Sequence, residues 1–443
     1  MTPLSRREFV LGAGAAGALL ATGGLSTAAR AATTATARVP APSASGIEHI
    51  VVLCMENRSF DHFLGWVRGA ERRQAGLTYL DDAGVAHSTH HLTEFSGCGF
   101  NDPDHSHEGG VRQLDGGRMD GFRKGGNDDF ALGYFLEPDL PTTSQLVRHF
   151  TICDGWFASI LGPTYPNRFY THAATTDRIT NTTNMSTLPT IWDRLSAAGV
   201  PAAYYFSDIP FLALWGTKYL PIARHITQFY ADAALGTLPA YSYLDPAFLG
   251  EDQGGSNDDH PHADVRRGQS LVASIVNALM TGPKWSSTLL LVTYDEWGGF
   301  FEHVLPLAVP DTPAAVAFAP AMQQPSYAQT GFRVPLFLVS PFAPAGAVRH
   351  GRYEHSSILK LVEWRWGLAP LTPRDAAAAN PAAMLDFAHR NTTTSIPDVA
   401  DPGPHICGTE NILPSSLTGS QVMGMYDPFW VELRDSPLMR GWS

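Results

Sequence analysis

Acidic and amide side chains follow two apolar segments of this sequence, in positions that suit a divalent cation. Glu56 and Asn57 come directly after one apolar run, and Asp295 and Glu296 come directly after another. Carboxylate and amide oxygens are the ligands that hard divalent cations prefer. Carboxylates that gather at one point repel one another unless a cation lies between them. We therefore predict that these four residues contribute to one metal site.

A hydroxyl nucleophile is the second requirement, and the segment GPTYPNR supplies one. Thr164 lies where a helix is expected to begin, because Pro166 suits a first helical turn. Helix N-termini attract anions, so this hydroxyl could attack a phosphorus atom while backbone amides hold the phosphoryl oxygens. A threonine at such a position more commonly caps the helix. The local sequence leaves both roles open and by itself favours capping.

The histidines form clusters in the segments between the apolar runs. Imidazole titrates near neutral pH, so a histidine beside a phosphate can hold a phosphoryl oxygen or protonate a leaving group. A single histidine is more often structural, and His355, which opens an amphipathic helix, could simply cap that helix. The candidates are His105, His107, His260, His262, His303 and His355.

Alternating apolar and amphipathic segments must position these groups. Apolar runs of strand length occur at 47–54, 149–154, 202–206, 288–294 and 334–339, and helical patterns occur at 144–148, 167–174, 189–197, 265–281 and 355–367. This alternation predicts an α/β fold with a mostly parallel central sheet flanked by helices on both faces. Ligands of such sheets bind at the carboxyl ends of strands. Long loops at 80–130, 208–262 and 304–332 are expected to be functional.

Composition limits the class of protein. The 443 residues are 44% hydrophobic and 16% charged, which indicates a folded chain with either one large α/β domain or two smaller ones. The formal net charge of −12 argues against nucleic acid as a partner. Beyond the N-terminus, the sequence contains no segment that is long and apolar enough to span a bilayer.

The first 31 residues have the pattern of a twin-arginine export signal. Arg6 and Arg7 precede a run of small apolar residues, and the sequence ARA at 29–31 suits a signal peptidase. A chance basic start on a core helix is the alternative. We expect cleavage after residue 31, a flexible lead-in over 32–45, and a protein that is secreted or associated with the cell envelope.

Export permits disulfide bonds. The sequence has four cysteines, and three pairings of them are possible. Cys54 and Cys153 lie in apolar runs and are expected to be small buried residues. Cys98 and Cys407 lie among glycine and proline residues and are the favoured pair.

Five blocks of the sequence resemble the bacterial phosphoesterase family, which contains the non-haemolytic type of phospholipase C and an acid phosphatase. The blocks are HIVVLCMENRSFDHFLG, GPTYPNR, NDDHPHADVRRGQ, VTYDEWGGFFEHV, and VPLFLVSPFAP with EHSSILK. They occur in the family's order over residues 46–370. The resemblance implies an alkaline-phosphatase-like fold, with 46–443 as a single catalytic domain that has long insertions.

The resemblance also implies roles for individual residues. The divalent cation would be bound by Glu56, Asn57, Thr164, Asp295 and Glu296. Thr164 would also be the nucleophile, His260 would donate a proton to the leaving oxygen, and His105 would hold a phosphoryl oxygen.

Other residues would bind phosphate or support the site. The resemblance does not separate His105 from His107 in the phosphoryl role. The remaining phosphate-binding or supporting residues would be His107, His303, His355 and Asn167. Hydrogen bonds from Arg58, Ser59, Asp61 and His62 would buttress the cation ligands.

The activity that the resemblance implies is that of an exported, metal-dependent phospholipase C. Through a phosphothreonine intermediate it would release diacylglycerol and a phosphorylated head group. The segment GGRMDGF favours this branch, and the apolar segments 208–216 and 304–332 form either a lip against lipid chains or ordinary buried packing. The alternatives are an acid phosphatase or broad phosphoesterase, and a non-catalytic exported metal- or ligand-binding protein.

Cofactor and partners follow from this activity. The oxygen-rich ligands favour calcium, magnesium or manganese, and zinc or iron could enter if histidine joins them. The expected partners are a phospholipid or other phosphoester and the twin-arginine export machinery. Transient contact with a membrane surface is compatible with this reading, whereas nucleic acid and a transmembrane span are not expected.

Overall fold

An eight-stranded sheet forms the centre of the computed structural model. The structure describes residues 39–251, 254–310, 312, 315, 328–405 and 428–442. In chain order the strands are β1 (His49–Met55), β2 (Thr78–Leu80), β3 (Ala86–Ser88), β4 (His90–His91), β5 (Gly133–Tyr134), β6 (Thr151–Cys153), β7 (Trp156–Phe157), β8 (Ala202–Phe206), β9 (Ala223–His225), β10 (Tyr241–Leu244), β11 (Thr288–Tyr294), β12 (Leu336–Val339), β13 (Ala347–Arg349) and β14 (Tyr353–Glu354).

Helices connect these strands. They are α1 (Phe60–Leu64), α2 (His107–Leu114), α3 (Pro141–His149), α4 (Thr164–Ala173), α5 (Ile191–Ala197), α6 (Ile226–Leu235), α7 (Val265–Thr281), α8 (Ser356–Trp366), α9 (Pro373–Ala377) and α10 (Pro428–Asp435). Across these described helices, none combines the length and the apolar character that crossing a membrane requires.

The central sheet is mostly parallel. Its strand order is β13–β6–β12–β11–β1–β10–β8–β9. The five strands β11, β1, β10, β8 and β9 run parallel to one another. Strand β12 is antiparallel to β11 and β6, and β13 is parallel to β6. The predicted α/β fold with a mostly parallel central sheet is confirmed.

The two strands at the centre of the sheet are covered on both faces. Every residue of β1 and of β11 is buried. Successive side chains of a strand point to opposite faces, which explains why HIVVLCM and TLLLVTY are almost continuously apolar. Helix α7 presents one apolar face, with Val272, Ile275, Val276 and Leu279 buried at helical spacing.

The strands that carry the candidate ligands end at the same edge of the sheet. Met55 and Tyr294, the last residues of β1 and β11, pair in parallel register. The Asp295 amide donates to Met55 O at 3.0 Å, so the chain segments leave these strands together. Leu53 pairs with Leu244, the last residue of β10, so β10 ends at this edge too.

The predicted long loops contain secondary structure. Segment 80–130 contains α2, and segment 208–262 contains β10 and α6. Strand β10 carries no apolar run, because three of its residues in YSYL bear hydroxyl groups, yet all four are buried. Within 208–216, the 3-10 helix Phe211–Trp215 is wholly buried, so this segment forms core and no lipid-facing lip. Most of the second predicted lip, at 304–332, lies outside the described residues.

The predicted export signal at 1–31 also lies outside the described residues. Of the predicted lead-in, residues 39–45 are described, and they contain the 3-10 turn Pro42–Ala44. Val39 packs against the core. The described part of the predicted lead-in therefore has a 3-10 turn and a contact with the core.

The cysteines follow the predicted division where the structure describes them. Cys54 and Cys153 are free and buried. Cys98 is disulfide-bonded, and Cys407, its expected partner, lies outside the described residues.

The turn after β11 approaches the end of β1 closely. Gly298 has a φ of +63°, a conformation that favours glycine. A Cβ atom at Gly298 would lie 2.7 Å from Asn57 Oδ1 and would overlap Asn57 O. A larger residue would therefore displace a predicted cation ligand.

Replacement of Gly298 by alanine should lower the free energy of unfolding by about 3 kcal/mol or more, because the added methyl group displaces the backbone after β1. The matched control is Gly69→Ala. Gly69 has a φ of +85° but nothing within 4 Å of an added Cβ, so only conformational strain of about 1 kcal/mol applies. Urea unfolding of both variants measures the difference. Equal losses would contradict the close approach.

Candidate active site

The predicted cation ligands are buried, and among the described residues many of their polar atoms have no hydrogen-bond partner. Glu56, Asn57, Thr164, Asp295 and Glu296 are all 0% exposed. Within the described residues, both carboxylate oxygens of Glu56, both side-chain polar atoms of Asn57, Thr164 Oγ1 and Glu296 Oε1 have no hydrogen-bond partner. Each buried polar atom without a hydrogen bond lowers the free energy of unfolding by about 1–3 kcal/mol. Carboxylate, amide and hydroxyl oxygens in this state fit a hard divalent cation.

Hydrogen bonds fix the chain segments that carry the acidic ligands. The Glu56 amide donates to Asp258 O at 2.8 Å. The Glu296 amide donates to Asp295 Oδ1 at 2.7 Å, and Glu296 Oε2 accepts from the Gly298 amide at 2.7 Å. Glu296 is therefore anchored through one carboxylate oxygen, which leaves Oε1 for a ligand.

Thr164 is the first residue of α4, and Pro163 is the N-cap residue. The interpretation of Thr164 as a helix cap is therefore wrong. Asn167 holds the loop before it, because its Oδ1 accepts from the Ser159 amide at 2.9 Å and its Nδ2 donates to Gly162 O at 2.7 Å. The Thr164 hydroxyl thus lies at a helix N-terminus, where amides and the helix dipole favour an anion.

Burial of several carboxyl groups together raises their pKa values. Burial raises the pKa of Glu56 well above its usual range, and the nearby Asp295 adds to the rise. Burial, with a further contribution from Asp295, raises the pKa of Glu296 to about 8. Arg168 opposes the rise for Glu56 and Asp295, since its Nε lies 3.3 Å from Glu56 Oε1 and 3.0 Å from Asp295 Oδ2. One guanidinium does not balance three carboxylates, and a divalent cation would add two further positive charges.

Two of the predicted histidines lie beside Glu296. His105 Nε2 is 4.0 Å from Glu296 Oε1. The rings of His105 and His260 meet edge to face, with 5.4 Å between their centroids. His260 Nδ1 lies 3.3 Å from Glu251 Oε2. These rings form one wall of the site.

Two groups of potential metal ligands overlap this wall. Asp102, His105 and His260 offer ligand atoms that lie within 4.8 Å of one another. Glu56, Glu251 and His260 do the same. His260 therefore lies within reach of the predicted cation ligand Glu56, and an ion that accepts nitrogen as well as oxygen could use it.

His355 and His107 contact the site through the backbone. His355 is the N-cap residue of α8, as the capping interpretation expects, but its side chain makes no capping hydrogen bond to the helix. Its Nε2 lies 2.6 Å from Asp295 O, and burial lowers its pKa to about 4, which keeps the ring neutral. His107 Nδ1 lies 2.5 Å from Leu161 O, in the loop before Thr164. Both positions suit the predicted supporting role.

His303 belongs to a second buried ionic cluster. Its Nδ1 pairs with the Asp61 carboxylate. Arg333 binds the same cluster, with its Nη2 atom 2.8 Å from Glu302 Oε1 and 3.3 Å from Asp61 Oδ1. Burial lowers the pKa of His303, but hydrogen bonds to Asp61 and Glu302 outweigh burial and raise it to about 9. The structure thus groups His303 with α1 rather than with the cation ligands.

Arg58 and Ser59 hold the loops that surround the ligands. Arg58 Nε donates to Asp259 O at 2.6 Å, and Arg58 Nη2 donates to His260 O at 3.3 Å. Ser59 Oγ donates to Phe301 O at 2.7 Å, in the segment that follows Glu296. These contacts are of the kind expected for residues that buttress the site.

Several residues of the site were not predicted from the sequence, among them Arg168, Glu251 and Asp258. Arg168 lies inside the block GPTYPNR, and Glu251 and Asp258 precede His260 in the segment EDQGGSNDDH. Burial, and then the neighbouring Glu251, raises the pKa of Asp258 well above its usual range. In the sequence, buried acidic residues of a polar loop look the same as acidic residues that are exposed to water. The only signal for Glu251 and Asp258 was the number of acidic residues shortly before the candidate His260.

Comparisons with known proteins find relatives along most of the chain. The chain is 33% identical over 396 residues to "Non-specific phospholipase C6" of Arabidopsis thaliana, covering 80% of this chain and 76% of the relative. It is 30% identical over 414 residues to "Phospholipase C B" of Mycobacterium tuberculosis, covering 77% and 78%. It is less similar to the crystal structure of a protein in the alkaline phosphatase superfamily from Vibrio parahaemolyticus. The identity is 10% and the TM-score is 0.36, over 75% of this chain and 70% of that chain.

A family model gives the same result. The model of the phosphoesterase family matches residues 47–369. This range contains every predicted site residue and all five blocks, so the resemblance seen in those blocks is confirmed. The chain belongs to the phosphoesterase family and is a phosphoric ester hydrolase.

Proposed function

We propose that this protein is an exported, metal-dependent phospholipase C that hydrolyses the glycerol–phosphate ester of phospholipids. The observation that supports this most directly is the set of buried oxygens of Thr164, Glu56, Asn57 and Glu296 that have no hydrogen-bond partner among the described residues. Relatives that are named phospholipase C support the substrate class. The products would be diacylglycerol and a phosphorylated head group.

The first step forms a covalent intermediate on Thr164. Its Oγ gives up its proton to solvent water and attacks phosphorus, while the bond between phosphorus and the glycerol oxygen breaks. His260 gives a proton to that leaving oxygen. A divalent cation held by Glu56, Asn57, Asp295 and Glu296 would supply electrostatic stabilisation of the hydroxyl as an anion and of the phosphoryl charge. The products of this step are diacylglycerol and a phosphothreonine diester that carries the head group.

The second step returns the enzyme to its starting state. Water attacks phosphorus, the bond to Thr164 Oγ breaks, Thr164 Oγ takes a proton back from solvent water, and the phosphorylated head group leaves. His260, deprotonated by the first step, takes the proton of the attacking water. His105 lies beside His260 and Glu296, where it would hold a phosphoryl oxygen, and the N-terminus of α4 would favour the same charge.

The remaining parts of the proposal concern the ion, the location and the partners. The oxygen-rich ligands favour calcium, magnesium or manganese, and zinc or iron could bind if His260 joins them. The pattern at Arg6 and Arg7 supports export by the twin-arginine machinery to the cell envelope or the medium.

An acid phosphatase or broad phosphoesterase is the second candidate function. The apolar segment 208–216, which would have faced lipid chains, is buried around Phe211–Trp215. This observation favours small soluble substrates. The third candidate, a non-catalytic metal- or ligand-binding protein, needs neither a nucleophile at Thr164 nor a proton donor at His260.

Release of choline phosphate from phosphatidylcholine vesicles, measured beside release of phosphate from p-nitrophenyl phosphate, separates these functions. We expect the diester to be the better substrate and a chelator to abolish turnover, because the carboxylates then repel one another. Added divalent cation should restore activity. Preference for the monoester would favour the phosphatase, and inactivity on every ester after cation addition would favour the binding protein.

Replacement of Thr164 by valine should remove the nucleophile with little effect on folding. Valine matches threonine in shape, and the buried hydroxyl has no hydrogen-bond partner among the described residues, so the free energy of unfolding should change by less than about 1 kcal/mol. Turnover should fall by about 10⁴-fold or more. Thr164→Ser is the control, because it keeps a hydroxyl. Substantial turnover by the valine variant would exclude Thr164 as the nucleophile.

A further inference from the structure

Arg168 is a buried cation at the centre of the acidic ligands. Its side chain is 0% exposed. Its Nε atom lies 3.0 Å from Asp295 Oδ2 and 3.3 Å from Glu56 Oε1. Its Nη1 atom donates to Asp245 Oδ1 at 2.8 Å, in the residue that follows β10. One guanidinium therefore touches the residues that follow three neighbouring parallel strands.

The other end of the guanidinium binds the backbone of β1. Arg168 Nη2 donates to Cys54 O at 3.2 Å and to Met55 O at 3.4 Å. These are the last two residues before Glu56. The planar fork of arginine allows several such hydrogen bonds at once, in directions that a lysine ammonium does not reproduce.

Aromatic rings hold the guanidinium in place. The Arg168 Cζ atom lies 4.7 Å from the ring centroid of Phe248 and 5.9 Å from that of Trp430 in α10. The two rings stack with 4.0 Å between centroids and an interplanar angle of 9°. Cation–π attraction adds to the ion pairs when the cation is removed from water. The guanidinium is thus enclosed as well as paired.

Helix α4 connects this cation to Thr164. Arg168 lies four residues after Thr164, which is about one helical turn, so the two side chains are on the same side of α4. Contacts that fix the guanidinium against Glu56 and Asp295 also fix the start of the helix against those residues. A shift of Arg168 would therefore shift the hydroxyl relative to the carboxylates.

We propose that Arg168 is a positioning residue and the fixed countercharge of the cation site, an inference that rests on the proposed function. It holds the segments after β1, β10 and β11 in register with the start of α4. It also neutralises part of the carboxylate charge, so that the divalent cation binds less tightly than the carboxylates alone would bind it. Arg168 thus lowers the affinity for the cation while it fixes the position of Thr164 relative to the carboxylates.

Loss of the positive charge should therefore change two properties in opposite directions. Arg168→Met keeps most of the side-chain length but leaves Glu56 and Asp295 uncompensated, so Mn²⁺ should bind at least about tenfold tighter. The turnover number should fall by about 100-fold or more, because Thr164 is no longer held against the carboxylates. A purely structural role would weaken both properties together.

Calorimetric titration of the chelator-treated full chain with Mn²⁺, combined with kcat on phosphatidylcholine vesicles, measures both. Arg333→Met is the matched control, since Arg333 is a second fully buried arginine that pairs with Asp61 and Glu302. This control should lose stability with unchanged Mn²⁺ affinity. Equal or weaker Mn²⁺ binding by Arg168→Met, or an affinity change matched by the control, would overturn the proposal.

A second variant covers the case in which Arg168→Met does not fold. Arg168→Lys keeps the charge and loses the fork, so its Mn²⁺ affinity should stay close to that of the unmodified chain while kcat falls by about tenfold or more. An unchanged kcat would overturn the proposal. An unmodified chain that binds Mn²⁺ but hydrolyses no ester would contradict the proposed function alone, because the affinity comparison still tests Arg168.

Discussion

The repulsion among three buried carboxylates is the constraint on which the rest of this site depends. Glu56, Asp295 and Glu296 lie where two adjacent strands end, with no exposure to water. Without hydration, such charges must be balanced by cations or be lost by protonation. Arg168 supplies one fixed positive charge against two of them. A divalent cation would neutralise the negative charge that remains. It would also bind the nearby hydroxyl and amide oxygens, which have no hydrogen-bond partner among the described residues.

The parallel sheet makes this gathering of charge possible. Parallel neighbours end at a common edge, so residues distant in sequence meet without long excursions of the chain. The apolar strands β1 and β11 are buried along their whole length and anchor the ends rigidly. Helix α4 then brings a hydroxyl and a guanidinium to this edge from one side, four residues apart. The strands that form the buried centre of the sheet are therefore also the strands that position the site.

The sequence predicted the parts of the molecule that have a simple pattern. Continuous apolar runs predicted β1 and β11, and polar residues directly after them predicted Glu56 and Asp295 at the sheet edge. Arg168 and Glu251 were missed, because burial and ion pairing arise from tertiary contacts that no local pattern reports. The short strand β10 was missed for a related reason, since its hydroxyl-bearing side chains resemble a loop. Thr164 as the nucleophile stays a prediction.

Anomalous diffraction from crystals soaked in Mn²⁺ tests the central claim most directly. The account predicts one strong peak among Glu56, Asn57, Thr164, Asp295 and Glu296, with oxygen ligands at about 2.0–2.6 Å, the range for hard divalent cations. The Thr164 hydroxyl should be among those ligands. A peak bound elsewhere, or a site that stays empty at saturating Mn²⁺ while the carboxylates are neutralised by protons, would contradict it.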